Sequence, residues 1–473
     1  MNSKVLLFFI LLLRQYFLDA SSPDLPDKPN ILIFIADDAG LDFGCYGNMF
    51  IKTPNIDRLA KEGMLCKNAF LTSSQCSPSR TSILSGQFAH TIGTEDLHYP
   101  LNEHTRLVPY YLKQKGYYTG ILMKQHLGEN GINQFDYIQE GTDDNAPEIF
   151  KSFLDNINGQ PFFAWVAFHD PHRPYGGPHG AEKVHQPANV IVSPYFVDTQ
   201  DTRNEIALYY DEIHRLDNNI GKILKELEKR KLRKNTLLIF LSDNGMPFPR
   251  CKATAYDYGI KTPLIIHWEG NVSKSTFYEG MISVIDLAPT ILDVAGINKP
   301  AEMYGESIKE IFNDQYVEGR KYIFTERNWH DTDDHVRSIR SNGYKLIVNS
   351  YPELLFPITG DYTGSNVWFD LLDAKAKNEL NHFQNQIFEY PRYQVELYDL
   401  NKDPYEVDNL IGKKEYQKIA IELNKLLLEW QEETNDYPSS LKRRSDFIDR
   451  KSGFYFLNKK YTRDYKNYGY WGD

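Results

Sequence analysis

The string Cys76-Ser77-Pro78-Ser79-Arg80 combines residue types and spacing that could do chemistry. Proline suits the first turn of a helix and serine is a common cap, so we predict that Ser77 caps a helix and that Cys76 lies at its N-terminus. The N–H groups and the positive dipole end of that helix would favour an anion beside Cys76. Taken alone, the cysteine could equally be a buried structural thiol or a plain cysteine nucleophile.

Two pairs of oxygen-bearing side chains, Asp37-Asp38 and Asp243-Asn244, are candidates for a metal site. Carboxylate and amide oxygens suit a hard cation such as Ca²⁺ or Mg²⁺, and not Zn²⁺. An isolated pair of aspartates is more commonly a solvated turn, but each of these pairs follows an apolar run of strand length. We therefore predict one bound cation, with calcium as the expected ion and magnesium as the alternative.

Apolar runs of strand length must position these side chains. The length of the runs indicates strands buried on both faces, and helical patterns lie between them, which together favour a doubly wound α/β core. The runs span residues 30–36, 162–168 and 236–241, and the helical patterns span 54–62 and 206–229. Each run ends in polar residues, the second of them in His169-Asp170. Because such sheets bind ligands beyond the carboxyl ends of their strands, we expect the three polar clusters to meet at one edge.

The pattern changes after about residue 320. A hairpin is predicted from strands at 336–340 and 344–348, and a further strand at 395–400 precedes an amphipathic helix. These elements indicate a smaller α+β domain with an antiparallel sheet that completes the substrate pocket. The predicted division is a signal peptide at 1–21, a catalytic domain at 22–320 and a C-terminal domain at 321–473.

The N-terminus and the composition bear on location and partners. Lys4 precedes an apolar run at 5–13 that is too short to span a bilayer, so we predict a cleaved signal peptide and no stable membrane span. The net charge of −11 argues against nucleic acid as a partner. Four cysteines and one glycosylation sequon favour a periplasmic or secreted protein, or a lysosomal one if the source is an animal. The pairing of Cys45, Cys66 and Cys251 stays open.

The string at 76–80, continued by Thr81-Ser82-Ile83-Leu84-Ser85-Gly86, resembles the signature of the sulfatase family. That resemblance implies an alkaline-phosphatase-like fold, with a mixed, mainly parallel sheet sandwiched by helices. It also implies that a formylglycine-generating enzyme oxidises Cys76 to formylglycine. One hydroxyl of the hydrated aldehyde would attack sulfur, and the other would expel sulfate by breaking a C–O bond.

The resemblance also implies roles for the remaining polar residues. Asp37, Asp38, Asp243 and Asn244, with the modified Cys76, match the family's metal ligands, and Arg80 would hold the diol. Lys124 and His126 match the pair that contacts the nucleophile and the sulfate. His169 matches the general acid, and Lys252 matches the basic residue that grips sulfate oxygens. A solvated surface charge is the alternative interpretation of Lys252.

Within the family, the strings at 167–173 and 242–249 are similar to those of sulfamidases. Lys252 departs from the arginine of sulfamidases, and 326–331 looks more like bacterial polysaccharide sulfatases. We expect a sulfatase acting on an algal polysaccharide or a glycosaminoglycan fragment. The alternatives are a sulfamidase that cleaves N-sulfoglucosamine and a phosphonate or phosphate monoesterase. The predicted saccharide-binding residues are His172, Arg173, Trp329, His335 and Arg337, with interdomain packing as the alternative role for the last three.

Overall fold

The structure is a computed structural model. It describes residues 28–176 and 180–438, together with the backbone of a short antiparallel pair at 448–449 and 454–455. The predicted signal peptide at 1–21 lies outside the described residues. Within the described ranges, no helix combines the length and the apolar character that crossing a bilayer requires. All four cysteines lie within them and are unpaired thiols.

The larger sheet has eight strands. They are Asn30–Ala36 (β1), Met64–Phe70 (β2), Tyr118–Met123 (β3), Tyr137–Gln139 (β4), Phe162–Ala167 (β5), Thr236–Ser242 (β6), Lys261–His267 (β7) and Thr276–Ser283 (β8). Their order across the sheet is β4-β3-β5-β1-β6-β7-β2-β8. Strand β7 runs antiparallel to β6 and β2, and the other neighbouring strands run parallel. The sheet is therefore mixed and mainly parallel, as predicted.

Alternate residues of the central strands enter two separate apolar cores. In β1, Leu32 and Phe34 face one core, whereas Ile31 and Ile33 face the other. Every residue of β1, β5 and β6 is buried, because helices cover both faces of the sheet. The predicted sandwich of helices around the sheet is confirmed.

The helices follow in chain order. They are Pro54–Glu62 (α1), Cys76–Ser85 (α2), Val108–Gln114 (α3), Gly128–Ile132 (α4), Ala146–Asn156 (α5), Gln200–Lys229 (α6), Asp257–Ile260 (α7), Leu287–Val294 (α8), Gly360–Thr363 (α9), Asn366–Lys377 (α10), His382–Asn385 (α11) and Gln417–Thr434 (α12). Helices α1, α5 and α6 pack on one face of the large sheet, and α2, α3 and α8 pack on the other.

A smaller antiparallel sheet lies in the C-terminal part of the chain. Its strands are Ile323–Arg327 (β9), Val336–Arg340 (β10), Tyr344–Asn349 (β11) and Val395–Asp399 (β12), in the order β12-β11-β10-β9. Helix α12 covers one face of this sheet and buries Leu423, Leu427 and Trp430 against Ile339 and Leu346. The predicted α+β organisation of this part is confirmed.

The cap predicted for the cysteine helix is wrong by two residues. Helix α2 begins at Cys76 itself, and its cap is Gln75, which has an extended backbone. The Ser77 hydroxyl lies inside the first turn, where it accepts a hydrogen bond from the backbone N–H of His98 at 2.8 Å. Cys76 is nevertheless at the N-terminus of the helix.

Candidate active site

The polar clusters that follow β1, β5 and β6 meet at one edge of the large sheet, since these three strands are neighbours. The backbone N–H of Asp37 donates to the carbonyl oxygen of Asp170 at 3.0 Å. The backbone N–H of Asp38 donates to Asp243 Oδ1 at 3.2 Å. The loops after β2 and β3 bring Cys76 and Lys124 to the same edge.

Cys76 and the acidic residues form a compact group of potential ligands. Single ligand atoms of Asp37, Cys76 and Asp243 lie within 4.8 Å of one another, and the Cys76 thiol is 3.7 Å from Asp37 Oδ1. Asn244 donates its amide N–H to Asp38, and its Oδ1 is buried with no hydrogen-bond partner among the described residues. Three buried carboxylates beside an unused amide oxygen fit a hard cation.

Three cationic side chains pair with the three buried carboxylates. Arg80 donates from Nε to Asp243 Oδ2 at 2.8 Å, and Lys252 Nζ lies 2.9 Å from the Asp38 carboxylate. Lys124 forms an ion pair with Asp37. Both terminal nitrogens of Arg80 are buried and make no hydrogen bond within the described part of the chain. These nitrogens are donors available to an anion.

The pKa values of the acids reflect the balance of these charges. Burial by itself raises the pKa of Asp37, but the neighbouring positive charges, led by Lys124, hold it well below its ordinary value. Burial, followed by the negative charge of Asp37, raises the pKa of Asp243 to about 6. Burial is the largest cause of the raised pKa of Asp243, so a cation bound beside this carboxyl would favour its ionised form.

Three histidines face the same space in different ways. His169 has a side chain that is 46% exposed, and its Nδ1 lies 3.6 Å from Asp143 Oδ2. His172 directs Nδ1 to the carbonyl oxygen of Arg173 at 2.6 Å, so that Nε2 is the atom near the acid cluster, 3.9 Å from Asp38 Oδ2. The ring nitrogens of His126 are both buried and, in the described structure, without hydrogen-bond partners. Burial and then Lys124 lower the pKa of His126 well below its ordinary value.

Left-handed backbone conformations are concentrated around this site. The φ angles are 71° at Asp38, 73° at Met123, 52° at His126, 59° at Ala253 and 58° at Asp331. Such conformations are costly for residues with a β-carbon and persist only where the surrounding structure enforces them. These strained conformations lower the stability of the fold and orient the side chains at this edge of the sheet.

An open cleft of about 780 Å³ lies over Cys76. The predicted site residues on its wall are Cys76, Lys124, His126, His169, His172, Arg173, Lys252 and Trp329. Arg173 reaches the wall although its guanidinium is engaged elsewhere, in an ion pair with Glu205 and between the rings of Tyr175 and Phe248. The lining combines a basic floor with apolar side chains such as Leu97 and Ile132.

Two of the predicted saccharide-binding residues lie outside the cleft lining that the described residues form. Arg337 makes a two-pronged ion pair with Asp436, and His335 Nδ1 lies 2.9 Å from the Ser350 hydroxyl. Arg337 lies on β10 and His335 lies directly before it, and both side chains pair with Asp436 just after the end of α12. These contacts lie within the C-terminal part of the chain, whereas the alternative prediction was interdomain packing.

Sequence reasoning missed Asp361, which lines the cleft at the start of α9. Its Oδ1 lies 3.2 Å from His172 Nε2, and its Oδ2 lies 3.2 Å from Lys252 Nζ. No motif surrounds it, since it comes more than 100 residues after the last polar cluster of the large sheet. A weak sequence signal existed for its neighbour His330, because the segment 326–331 resembles bacterial polysaccharide sulfatases.

Comparisons with known proteins agree with this geometry. The sulfatase family model matches residues 29–297, and a model described as N-sulphoglucosamine sulphohydrolase, C-terminal, matches residues 251–354. N-sulphoglucosamine sulphohydrolase of Homo sapiens is 31% identical over 461 residues, covering 86% of this chain and 90% of its own length. An ulvan-active sulfatase of Formosa agariphila is 29% identical over 465 residues, covering 87% of this chain and 76% of its own length.

A solved structure, of a protein in complex with its substrate D-glucosamine-2-N,6-O-disulfate, shares the fold with a TM-score of 0.65 at 20% identity. The match covers 86% of this chain and 98% of the other. The sulfatase model spans more than half of the sequence, and it includes the cysteine helix and all four candidate metal ligands. The chain therefore belongs to the sulfatase family and is a sulfuric ester hydrolase.

Proposed function

We propose that this sulfatase removes sulfate from a sulfated carbohydrate, with Cys76 acting as the nucleophile after conversion to formylglycine. The observation that carries the proposal is the position of Cys76, which begins α2 at the floor of an open cleft among Arg80, Lys124 and Lys252. The sulfate group of a substrate is negatively charged, so its binding beside residue 76 requires such a group of cationic hydrogen-bond donors.

Asp37, Asp38, Asp243 and Asn244 would hold the cation, for which we propose Ca²⁺. The donor set is entirely oxygen apart from Cys76, and the buried Oδ1 of Asn244 has no other described partner to satisfy it. When bound, the ion supplies positive charge that stabilises the sulfuryl group and favours the ionised form of the attacking hydroxyl.

The chain's own cations then bind and orient the sulfate group. Arg80 has two terminal nitrogens that make no hydrogen bond with the described residues, while Lys124 pairs with Asp37 and Lys252 pairs with Asp38. One hydroxyl of the hydrated formylglycine releases its proton to solvent and forms a bond to sulfur as the bond from sulfur to the leaving atom breaks. The second hydroxyl then releases its proton to solvent, the C–O bond to the bound sulfate breaks, and the aldehyde is restored.

The leaving group needs a proton, and we assign its donor to His172, where the sequence prediction named His169. The geometry behind this choice is the position of His172 Nε2, which lies near Asp38 and Asp361, whereas the ring of His169 contacts Asp143 away from the acid cluster. The carboxylates of Asp38 and Asp361 would stabilise the imidazolium form that donates the proton.

Two features point to a saccharide as the part of the substrate that leaves. The relatives named above act on N-sulphoglucosamine or ulvan according to their names, and the wall of the cleft combines Trp329 with polar groups. A glycosaminoglycan or algal fragment would thus meet both an aromatic face and hydrogen-bonding side chains. N-sulfoglucosamine is the second candidate, favoured by the match of residues 251–354 to the C-terminal model of that hydrolase.

The test is sulfate release from a panel of O-sulfated and N-sulfated oligosaccharides, with a phenylphosphonate ester as the third arm. Enzyme whose Cys76 peptide shows the aldehyde by mass spectrometry should release sulfate, and Cys76→Ala should lose at least about 1000-fold of that rate. Active protein that carries only a free thiol at Cys76 would contradict the mechanism. Faster turnover of the phosphonate than of every sulfate would contradict the function.

Maturation and location are part of the same proposal. A formylglycine-generating enzyme would be the partner that oxidises Cys76, and export through the predicted signal peptide would deliver the protein to the periplasm, the exterior or an animal lysosome. Sulfated polysaccharides occur outside the cytosol, which fits this route.

A further inference from the structure

Two buried hydroxyl groups, on Tyr209 of α6 and on Ser242 at the end of β6, hydrogen-bond to the backbone beside Asp38, a proposed ligand of the cation. The backbone N–H of Ala39 donates to Ser242 Oγ at 2.9 Å. The Tyr209 hydroxyl donates to the carbonyl oxygen of Ala39 at 2.5 Å and also lies 3.3 Å from the carbonyl oxygen of Asp38. Both residues are 0% exposed, and the reaction described above gives neither of them a role.

These contacts fix the peptide group that follows Asp38. The backbone of Asp38 is left-handed, with φ at 71°, a conformation that persists for a residue with a β-carbon only where the surroundings enforce it. Rotation of this peptide group would break the hydrogen bond from Ala39 to Ser242 and would move the backbone away from the Tyr209 hydroxyl. The two hydroxyl groups therefore hold the backbone conformation from which the Asp38 carboxylate extends toward the side chain of Asn244.

Ser242 also joins the two loops that carry the proposed ligands. Its hydroxyl accepts from Ala39 in the loop after β1 and lies 2.9 Å from the carbonyl oxygen of Asn244 in the loop after β6. Because a carbonyl oxygen only accepts, the hydroxyl donates its hydrogen to Asn244, which is nearer than the carbonyl oxygen of Ala36 at 3.3 Å. One side chain thus links the backbones of both ligand loops.

We infer that Tyr209 and Ser242 are positioning residues for the cation, because their hydroxyl groups hold Asp38 and Asn244 in place before the cation binds. This inference rests on the metal site of the proposed function and extends it to residues that bond only to backbone groups around the ligands. Ligands that are already held in place lose less freedom when the cation binds, which raises its affinity. Loss of either hydroxyl should therefore weaken binding although every ligand atom is still present.

Tyr209→Phe tests the first residue, since it removes the hydroxyl and keeps the buried ring. Calorimetric titration of metal-free protein with Ca²⁺ should give a dissociation constant at least about 10-fold above that of wild-type protein. Tyr210→Phe is the matched control, because Tyr210 is the next residue on α6, is also buried, and has a hydroxyl that accepts from Asn48 at 2.7 Å. Its dissociation constant for Ca²⁺ should equal that of wild-type protein.

Ser242→Ala tests the second residue and should also raise the dissociation constant for Ca²⁺ by at least about 10-fold. Ser365→Ala is its matched control, since Ser365 is a buried serine whose hydroxyl accepts from the backbone N–H of Trp368 at the start of α10. Loss of that helix cap should lower the Tm of the metal-free protein without changing its affinity for Ca²⁺. The comparison separates a general loss of stability from a loss of ligand positioning.

Turnover of a sulfate ester at increasing Ca²⁺ concentration provides a second measurement. Tyr209→Phe should be slower than wild-type protein at limiting Ca²⁺, and its kcat should return to within about 3-fold of wild type once Ca²⁺ is saturating. This recovery follows because the ligands and the groups that contact the substrate are unchanged in the variant. A kcat that stays low at saturating Ca²⁺ would contradict a role through the cation.

Two results would overturn the inference and leave the calcium site intact. The first is an unchanged affinity for Ca²⁺ in both Tyr209→Phe and Ser242→Ala. The second is an equal loss of affinity in the control variants Tyr210→Phe and Ser365→Ala, which would show that lower stability is the cause. Wild-type protein that binds no Ca²⁺ in the same titration would refute the calcium site of the proposed function, and the inference with it.

Discussion

At the scale of single residues, the amide oxygen of Asn244 offers a test of the proposed metal site. It is buried beside Asp38 and Asp243, and its only described role would be to bind a cation. Asn244→Ala should therefore weaken Ca²⁺ binding by at least about 10-fold, measured by calorimetric titration of metal-free protein. Asn48→Ala is a matched control, since Asn48 is a buried asparagine whose Nδ2 already bonds Tyr210. Unchanged affinity in Asn244→Ala would exclude Asn244 as a ligand.

The two possible proton donors, His172 and His169, can be distinguished by how the loss of rate in each alanine variant depends on the leaving group. His172→Ala should lose about 100-fold or more on a saccharide sulfate and much less on 4-nitrocatechol sulfate, whose leaving group departs without a proton. His169→Ala should show similar, smaller losses on both. Rates of both variants on both substrates decide the assignment, and the reverse pattern would return the role to His169.

The residues around Cys76 were predictable where they follow strands or form contiguous motifs. Asp37 and Asp243 were identified from the strands before them, Cys76 from its motif, and Lys252 only from the resemblance to the family, and the structure brings all four together. Asp361 could not be identified, since its position depends on how a loop far along the chain folds back over the cleft. The contacts of Arg337 could not be predicted either, since its partner Asp436 lies 99 residues away in the sequence.

At the scale of secondary-structure elements, the bounds of strands and helices were predictable where the apolar pattern in the sequence is unbroken. Strand β1 and helix α1 have the predicted bounds, and the predicted hairpin is the pair β10 and β11 with Arg340 opposite Lys345. Helix α6 begins earlier than predicted, at Gln200, where the Thr199 hydroxyl accepts from the N–H of Thr202. Its first turn is polar, and polar residues carry no periodic signal.

The ion pair between Arg337 and Asp436 ties β10 to the chain just after α12. Although burial raises the pKa of Asp436, its hydrogen bonds from Arg337 outweigh that effect and lower the pKa. Asp436→Asn should reduce the free energy of unfolding by about 3 kcal/mol at pH 7, because it leaves Arg337 buried and unpaired. A lowered carboxyl pKa stabilises the fold above the unfolded pKa, so the difference should shrink as the pH falls below about 4.

Denaturant unfolding of both proteins between pH 3 and 7 measures this effect. Glu429→Gln is the matched control on α12 itself, where Glu429 forms an exposed pair with Lys425 at 3.6 Å. That variant should change the free energy of unfolding by less than about 0.5 kcal/mol. A difference for Asp436→Asn that does not depend on pH would show that the ion pair is not its cause.

At the scale of the whole molecule, we expect metal binding and folding to be coupled, because the proposed ligands come from loops after β1 and β6 and from the start of α2. Ca²⁺ at 100 times its dissociation constant should add about 2.7 kcal/mol to the free energy of unfolding. Calorimetric scans of metal-free protein should show Tm rising with Ca²⁺ concentration and returning on chelation. A Tm that does not change with Ca²⁺ concentration would argue against a calcium site in the folded protein.

The central position of β1 determines when the large sheet can form during translation. Ile31 pairs with Phe163 on one side and Leu237 on the other, and the sequence separation across the latter pair of strands is 206 residues. A nascent chain therefore cannot complete the sheet around β1 until β6 has been synthesised. The segment around Cys76 is synthesised earlier and stays accessible for much of translation. Once folded, Cys76 is only 3% exposed. Any enzyme that modifies this cysteine must accordingly reach it during that interval.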